Sequence, residues 1–139
     1  MKRVKAMMGF LIFFILGVSI VASEAADIQA FTDREIKLGL IMAMSGPMAP
    51  SGAAMNLSIK DYLRHVNEEG GIHGRKIKLI IEDGQFKIPK AMAAYNKLWF
   101  REKIFTLLGC LGCGQNVALF PQFKEHNIVT IPLSSCKEF

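Results

Sequence analysis

Short apolar runs alternate with longer helix-compatible segments from residue 36 onward. The first run, Ile36–Met44, is too continuously apolar for a half-exposed strand and is typical of a parallel strand covered on both faces. Three further runs follow it, at Lys76–Asp83, Ile104–Leu108 and Ile128–Ile131. Strands that alternate with helices in this way predict an α/β fold. We expect a parallel sheet with helices on both faces, joined by right-handed crossovers.

The segments between the strands carry helix signals. The first, Gly52–Asn67, has one apolar stripe and is followed by two glycines, which end helices readily. The second begins near Pro89, a residue suited to a first helical turn. The third, Gln115–Glu125, contains Pro121, which removes one hydrogen bond and is expected to bend the helix. The second strand is less apolar than the first, so we place it nearer an edge of the sheet.

The first 25 residues have the layout of a secretory signal. Three basic residues precede a mostly apolar, uncharged run from Met7 to Ala22, and small residues follow that run. At 16 residues, the run is short of the roughly 20 residues that a membrane-spanning helix needs. We therefore expect cleavage after Ala25, a domain over residues 26–139 and a periplasmic location.

Charge and cysteine content narrow the classes of function. Residues 1–25 hold three of the 17 basic and one of the 12 acidic residues, which leaves 14 basic and 11 acidic ones in the predicted domain. Without a Lys/Arg cluster, that domain gives no indication of a nucleic-acid partner. Cys110, Cys113 and Cys136 make an odd count, so one disulfide and one free thiol are expected in an oxidising compartment. The pairings Cys110–Cys113 and Cys113–Cys136 both stay open.

Three small-residue loops follow the first, third and fourth predicted strands: Ser45–Gly52, Gly109–Gln115 and Pro132–Cys136. In an open parallel sheet such loops gather at one edge, where small ligands bind. The loops lack Asp, Glu, His, Lys and Arg. Their main-chain N–H groups, hydroxyls and helix amino ends suit a carboxylate or another polar anionic group, whereas acid–base catalysis needs a titratable side chain. Either these loops form a binding site without catalysis, or they are ordinary tight turns.

Other candidate groups give weaker signals. The three histidines are dispersed along the sequence, so we expect no metal site and no cofactor. Glu82 and Asp83 end the second strand, where a capping or solvated role is a simpler interpretation than catalysis. Trp99 and Phe100 end the second helix, where packing is the simpler interpretation.

Four stretches, taken in order, resemble one family. They are Ile36–Leu40 with the later Ser-Gly-Pro and Gly52, Val66–Ile77, Ile81–Asp83 and Leu108–Gly112. Together they resemble the amino-terminal part of type I periplasmic binding proteins, in the branch that serves ABC importers of branched-chain amino acids and amides. The resemblance implies two α/β lobes that close on a ligand, of which this sequence covers part of the first. It also implies a monomer whose partners are a small-molecule solute and a membrane permease. We therefore expect a truncated substrate-binding component with weak or absent affinity.

The resemblance also implies which residues contact the ligand. Amino-acid binders of this family hold the ligand carboxylate and amine with the loops after strands one, three and four. By position, the contacts fall here on Ser51, Cys113, Gly114, Ser134 and Cys136. Ser or Thr often stands where this sequence has the two cysteines, and a thiol is a weak donor and acceptor. The ligand class therefore stays open between α-amino acids and amides, urea or aromatic acids. Phe86 stands where the leucine-type binders have the first cysteine of their disulfide, so that bridge is not expected.

A rival interpretation starts from Cys110-Leu-Gly-Cys113, which lies between a strand and a helix. This placement is similar to that of a secreted thioredoxin-like thiol-disulfide oxidoreductase, in which the helix amino end lowers the thiol pKa. Only 18 residues, Gly114–Ile131, separate Cys113 from Pro132. That fold places more structure between its motif and its active-site proline, so a disulfide without catalysis is the stronger expectation.

Overall fold

The computed structural model describes residues 30–134. The elements are β1 (Glu35–Met42), α1 (Ala49–Glu68), β2 (Lys76–Asp83), α2 (Ile88–Asn96), β3 (Thr106–Cys110), α3 (Cys113–Glu125) and β4 (Thr130–Ile131). A π-helical turn, Lys97–Glu102, follows α2 directly. The strand–helix alternation confirms the predicted fold class. The predicted secretory signal and Cys136 lie outside the described residues.

The four strands form one sheet in the order β2-β1-β3-β4, and every neighbouring pair is parallel. The placement of β2 at an edge is confirmed, and β1 lies inside the sheet. Leu40, Ile41 and Met42 of β1 are at most 1% exposed, as expected of a strand covered on both faces. Because all pairs are parallel, the carboxyl ends of β1, β3 and β4 lie side by side at one edge.

The helices cover the two faces of the sheet unequally. One face packs against α2 and α3, where Tyr95, Leu98 and Leu119 are fully buried together with Ile41 and Leu107 of the sheet. The other face carries α1, whose contacts with the sheet are mainly to β2. An apolar groove of about 610 Å³ remains between α1 and the sheet. No helix within residues 30–134 is long and apolar enough to cross a membrane.

Two helices start earlier than the sequence predicts. α1 begins at Ala49 rather than Gly52, because Pro50, which lies in the predicted loop, fits the first turn of the helix. Ser51 therefore lies inside the helix instead of in the loop that precedes it. α3 begins at Cys113 rather than Gln115. Cys113 and Gly114 are consequently the first two residues of a helix.

Strand boundaries differ as well. β1 ends at Met42 instead of Met44, and β4 starts at Thr130 instead of Ile128. β3 runs from Thr106 to Cys110, two residues later than predicted. The register of β1 against β3 shifts after Leu40, so that Ile41 pairs with Cys110 and Gly109 is skipped. Such a bulge reverses the side-chain alternation beyond it. Cys110 therefore points into the core shared with α2 and α3.

Candidate ligand-binding edge of the sheet

The chain leaves β1 and β3 in opposite directions across the sheet. It crosses from β1 to β2 through α1 on one face, and from β3 to β4 through α3 on the other. The two strands are neighbours, so a crevice forms between them at their carboxyl ends, which is where open α/β sheets bind ligands. Neither α1 nor α3 has an acidic residue in its first turn. The positive ends of both helix dipoles are therefore available to an anionic group.

A close backbone contact sets the start of α1. A Cβ added to the buried Gly52 would lie 1.9 Å from the carbonyl oxygen of Ala43, so only glycine allows the helix to begin this close to the end of β1. Ser51 precedes Gly52 and is exposed in the first turn of the helix. The predicted contact residue Ser51 is thus at the expected edge, on a helix turn.

Asp83 at the end of β2 fixes the turn that follows β1. Its Oδ1 accepts hydrogen bonds from the N–H groups of Met44 (2.9 Å) and Gln85 (2.9 Å), and its Oδ2 accepts one from Ser45 Oγ (2.6 Å). Burial alone would raise the pKa of Asp83, but these hydrogen bonds outweigh it and hold the pKa below the ordinary 3.8. Asp83 thus has a capping role, one of the two roles expected for the Glu82–Asp83 pair. The neighbouring Glu82 forms an ion pair with Lys97 at 2.7 Å.

Asn116 organises the loop between β3 and α3. Its side chain is 1% exposed, and its Oδ1 accepts a hydrogen bond from the N–H of Cys110 at 3.1 Å. Its Nδ2 lies within hydrogen-bond distance of the carbonyl oxygens of Cys110 (2.9 Å) and Gly112 (3.0 Å) and of Ser134 Oγ (2.9 Å). Asn116 is not among the site residues predicted from the sequence. A signal was present, since a small amide in a first helical turn readily bonds to nearby backbone.

The loop after β4 is held against the end of β3. A Cβ added to Gly109 would lie 2.5 Å from the backbone nitrogen of Leu133 and 2.8 Å from the carbonyl oxygen of Ile131. This close approach, together with the hydrogen bond from Asn116, brings Ser134 to the amino end of α3. The structure therefore groups Ser134 with Cys113 and Gly114. Cys136 lies outside the described residues.

The two described cysteines differ in chemistry. Cys110 is a free thiol with no exposed surface, and burial raises its pKa to about 12. Cys113 is disulfide-bonded. The Cys110–Cys113 pairing left open by the sequence is therefore not formed. A thioredoxin-like mechanism needs an accessible thiol of lowered pKa, so the state of Cys110 argues against the rival interpretation.

An aromatic contact joins the loops after β2 and β3. The ring of Phe86 comes within 2.9 Å of the position that a Cβ on Gly112 would occupy. The sequence resemblance implies a disulfide between these loops in leucine-type binders, and that bridge is not expected here because Phe86 stands in place of its first cysteine. Packing of Phe86 on Gly112 keeps the two loops in contact in its place.

The same part of the chain holds no cluster of metal-binding side chains. Across residues 30–134, no group of three His, Cys, Asp or Glu side chains could hold a metal ion. The serine hydroxyls, the Asn116 amide and the backbone N–H groups of the edge can form hydrogen bonds to a ligand directly.

An all-parallel sheet with helices on both faces and a switch point between β1 and β3 define a doubly wound α/β fold. A sequence model described as periplasmic binding protein matches residues 35–138. The chain belongs to that family, as its sequence resemblance implied.

Individual relatives agree with this assignment. The chain is 30% identical over 78 residues to Leu/Ile/Val-binding protein homolog 4 of Brucella abortus, a match covering 56% of this chain and 19% of that protein. It superposes on the fatty acid ABC transporter substrate-binding protein of Thermomonospora curvata with a TM-score of 0.69 and 28% identity, covering 74% of this chain and 26% of that one.

The branched-chain amino acid transporter substrate-binding protein of Streptococcus pneumoniae, solved with isoleucine, shares the fold, with a TM-score of 0.66 at 22% identity. That match covers 70% of this chain and 28% of the other. The chain thus matches between 19% and 28% of the length of these relatives.

Proposed function

We propose that this chain is part of the substrate-binding component of an ABC importer for amino acids or related small amides and acids. In this proposal it supplies one wall of the ligand cleft and catalyses no reaction. The observation that carries the proposal is the crevice between β1 and β3, flanked by the amino ends of α1 and α3 on opposite faces. The names of the relatives support this substrate class, since one is a Leu/Ile/Val-binding protein homolog and another is a fatty acid ABC transporter substrate-binding protein.

The five predicted contact residues would act together on an anionic or carbonyl group of the solute. Cys113 and Gly114 hold the first two positions of α3, where the positive end of the helix dipole favours an anionic group. Ser51 and Ser134 add hydroxyl groups from the two sides of the edge. Cys136 completes the set as a residue of the loop after β4.

The edge supports binding better than chemistry. The carboxylate of Asp83 is engaged by three donors that hold the turn after β1. The Cys110 thiol is buried in the core and protonated at neutral pH. No described side chain at this edge is therefore poised for acid–base or nucleophilic work.

The remaining parts of the proposal concern export and partners. Residues 1–25 act as a secretory signal, and residues 26–139 form the part that works in the periplasm. There it functions as a monomer that delivers solute to a membrane permease. No nucleic acid takes part.

Ligand-observed NMR tests this function, because saturation transfer detects the weak binding expected of a single cleft wall. Branched-chain amino acids, short amides and aromatic acids are presented separately to the secreted chain. We expect transfer to one class, reduced in Ser134→Ala and retained in the control Ser58→Ala, since Ser58 is exposed on α1 away from the edge. Absence of transfer from all three classes, or equal transfer to both variants, would contradict the proposal. Reduction of insulin by the chain would favour the thiol oxidoreductase instead.

A further inference from the structure

Two residues beside the ligand-binding edge break the ordinary rules of burial. Met44, in the turn after β1, is 43% exposed, although the four residues before it are at most 2% exposed. Asn56, on α1, is 6% exposed, yet its Oδ1 is buried without a hydrogen-bond partner in the part of the chain that the structure describes. We propose that Met44 is the apolar contact that selects an aromatic acid as the solute, and that Asn56 positions it. This role rests on the proposed function, since Met44 lies at the same cleft wall.

The backbone of Met44 is anchored to the end of β2. Its N–H donates to Oδ1 of Asp83 at 2.9 Å. The hydroxyl of the next residue, Ser45, donates to Oδ2 of the same carboxylate at 2.6 Å. Because these two bonds hold consecutive residues, the turn after β1 is fixed where it leaves the sheet. The side chain of Met44 therefore starts from a fixed point beside the crevice between β1 and β3.

The side chain of Met44 is anchored to α1. Nδ2 of Asn56 donates a hydrogen bond to Sδ of Met44 at 3.5 Å. The buried residues of α1 are Gly52 and Asn56, which lie one helical turn apart on the same face. The close approach of Gly52 to Ala43 brings this end of the helix against β1. Methionine is an unbranched and flexible side chain, so the bond from Asn56 restricts motion that it would otherwise have.

The burial of Asn56 has a cost that a packing residue would avoid. A buried carbonyl oxygen without a donor lowers stability. Leucine is close to asparagine in shape and would bring no such atom. The amide nitrogen must face the sulfur, because the oxygen has no hydrogen to donate, and the oxygen is thereby left unpaired. Residues that break a local rule in this way are expected at functional sites, which favours a positioning role for Asn56 over a packing role.

The chemistry of Met44 indicates which solute it suits. A thioether is polarisable and makes favourable contacts with aromatic rings. The amino ends of α1 and α3 favour an anionic group. An aromatic carboxylic acid satisfies both, with its carboxylate toward the helix ends and its ring against Met44. An α-amino acid would also bring an ammonium group, and the nearby Asp83 carboxylate already accepts three hydrogen bonds.

Methyl NMR of the secreted chain, with isotope-labelled methionine methyl groups, tests the positioning role without a ligand. Met44→Leu identifies the Met44 signal. In Asn56→Leu we expect a lower order parameter for the Met44 methyl, at a Tm equal to or above that of wild type. The methyl of Met92, which packs against the core, is the internal control and should not change. Asn56→Ala repeats the measurement without added bulk, and an unchanged Met44 order parameter in both Asn56 variants would overturn the positioning role.

Titration with benzoate, cyclohexanecarboxylate and acetate tests the selected class, because these acids carry an aromatic ring, a saturated ring and neither. We expect benzoate to shift the Met44 methyl signal and to bind more tightly than the other two acids. Met44→Ser should weaken benzoate binding by roughly three- to tenfold, the range of a sulfur–aromatic contact, and should leave acetate binding unchanged. Leu57→Ser is the matched control, since Leu57 is another exposed apolar residue, on α1, and should bind benzoate as wild type does.

Three results would overturn selection by Met44. They are equal affinity for benzoate and cyclohexanecarboxylate, benzoate binding that leaves the Met44 methyl signal unmoved, and equal weakening in Met44→Ser and Leu57→Ser. If a branched-chain amino acid or a short amide binds and benzoate does not, the selection fails while the proposed function stands. If none of the solutes binds, the proposed function fails as well.

Discussion

The amide of Asn116 lies 2.9 Å from the hydroxyl oxygen of Ser134 and donates a hydrogen bond to it across 18 residues of sequence. The same side chain bonds the backbone of Cys110 at the end of β3 and the carbonyl of Gly112 at the start of α3. One buried residue thereby joins three segments of the candidate ligand-binding edge. The loops after β3 and β4 should consequently respond to perturbation as a unit.

Replacing Asn116 tests that coupling. Asn116→Ala leaves the N–H of Cys110 buried without its acceptor, and such a loss costs about 1–3 kcal/mol. We expect a drop in Tm on thermal denaturation and faster amide hydrogen exchange around both Gly112 and Ser134. Asn96→Ala, at an exposed position at the end of α2, is the control and should behave as wild type. Faster exchange at Gly112 alone would show that the two loops are independent.

Replacing Gly52 tests how closely α1 must approach β1. In Gly52→Ala the new methyl group meets the carbonyl oxygen of Ala43 at 1.9 Å, so the helix start has to move. Such overpacking typically costs about 1–3 kcal/mol, and denaturant unfolding should show it as a lower midpoint. Gly114→Ala is the stability control, because its new Cβ would meet nothing nearer than Ile88 at 3.8 Å. Equal stability of the two variants would contradict the close contact.

The architecture was predictable because its signals are local. Apolar runs, glycines and prolines mark the strands and turns within a few residues, and lysines in β2 indicate an edge strand. Parallel order then follows from the strand–helix alternation. Parallel order alone predicts that the loops after β1, β3 and β4 gather at one edge. The observed sheet confirms this prediction.

The details of the edge were not predictable, because they depend on contacts between distant segments. Cys110 is buried since the bulge at Gly109 reverses the alternation of β3, and register against β1 sets that bulge. Asn116 acquires its role only when the loop after β4 arrives beside it. Composition predicts a loop at Ser51, whereas α1 already includes this residue and brings Gly52 close to Ala43. The ligand contacts themselves stay predictions.

Acid should weaken the turn after β1 through Asp83. Its pKa is lower in the folded chain than its ordinary 3.8, so its contribution to stability is present above that value and is lost as the pH falls through the folded pKa. Asp83→Asn should therefore lower Tm at pH 7, and the difference from wild type should shrink as the pH falls below 3.8. Asp61→Asn is the control, because Asp61 makes only an exposed ion pair with Arg64. A difference from wild type that is constant with pH would rule out the role given to the carboxylate.

Alkali should weaken the core through Tyr95. This ring is fully buried, and its hydroxyl lies 2.9 Å from Nδ1 of His126. Burial, with the nearby charge of Glu125, raises the pKa of Tyr95 from 10.0 to about 12. The folded chain thus favours the protonated phenol, so this contribution is complete below pH 10.0 and is lost as the pH rises through about 12.

The titration of Tyr95 can be followed by absorbance once the second tyrosine, Tyr62, is replaced. Tyr62 is 66% exposed on α1, so its replacement should leave the core unchanged. In Tyr62→Phe the tyrosinate absorbance reports Tyr95 alone, and we expect a midpoint near pH 12 that coincides with loss of helical circular dichroism. Tyr95→Phe should lose the hydrogen bond to His126 yet remain folded to higher pH, because no phenol then ionises in the core. A midpoint near pH 10 with the helices intact would place Tyr95 in contact with solvent and contradict the packing of α2 against α3.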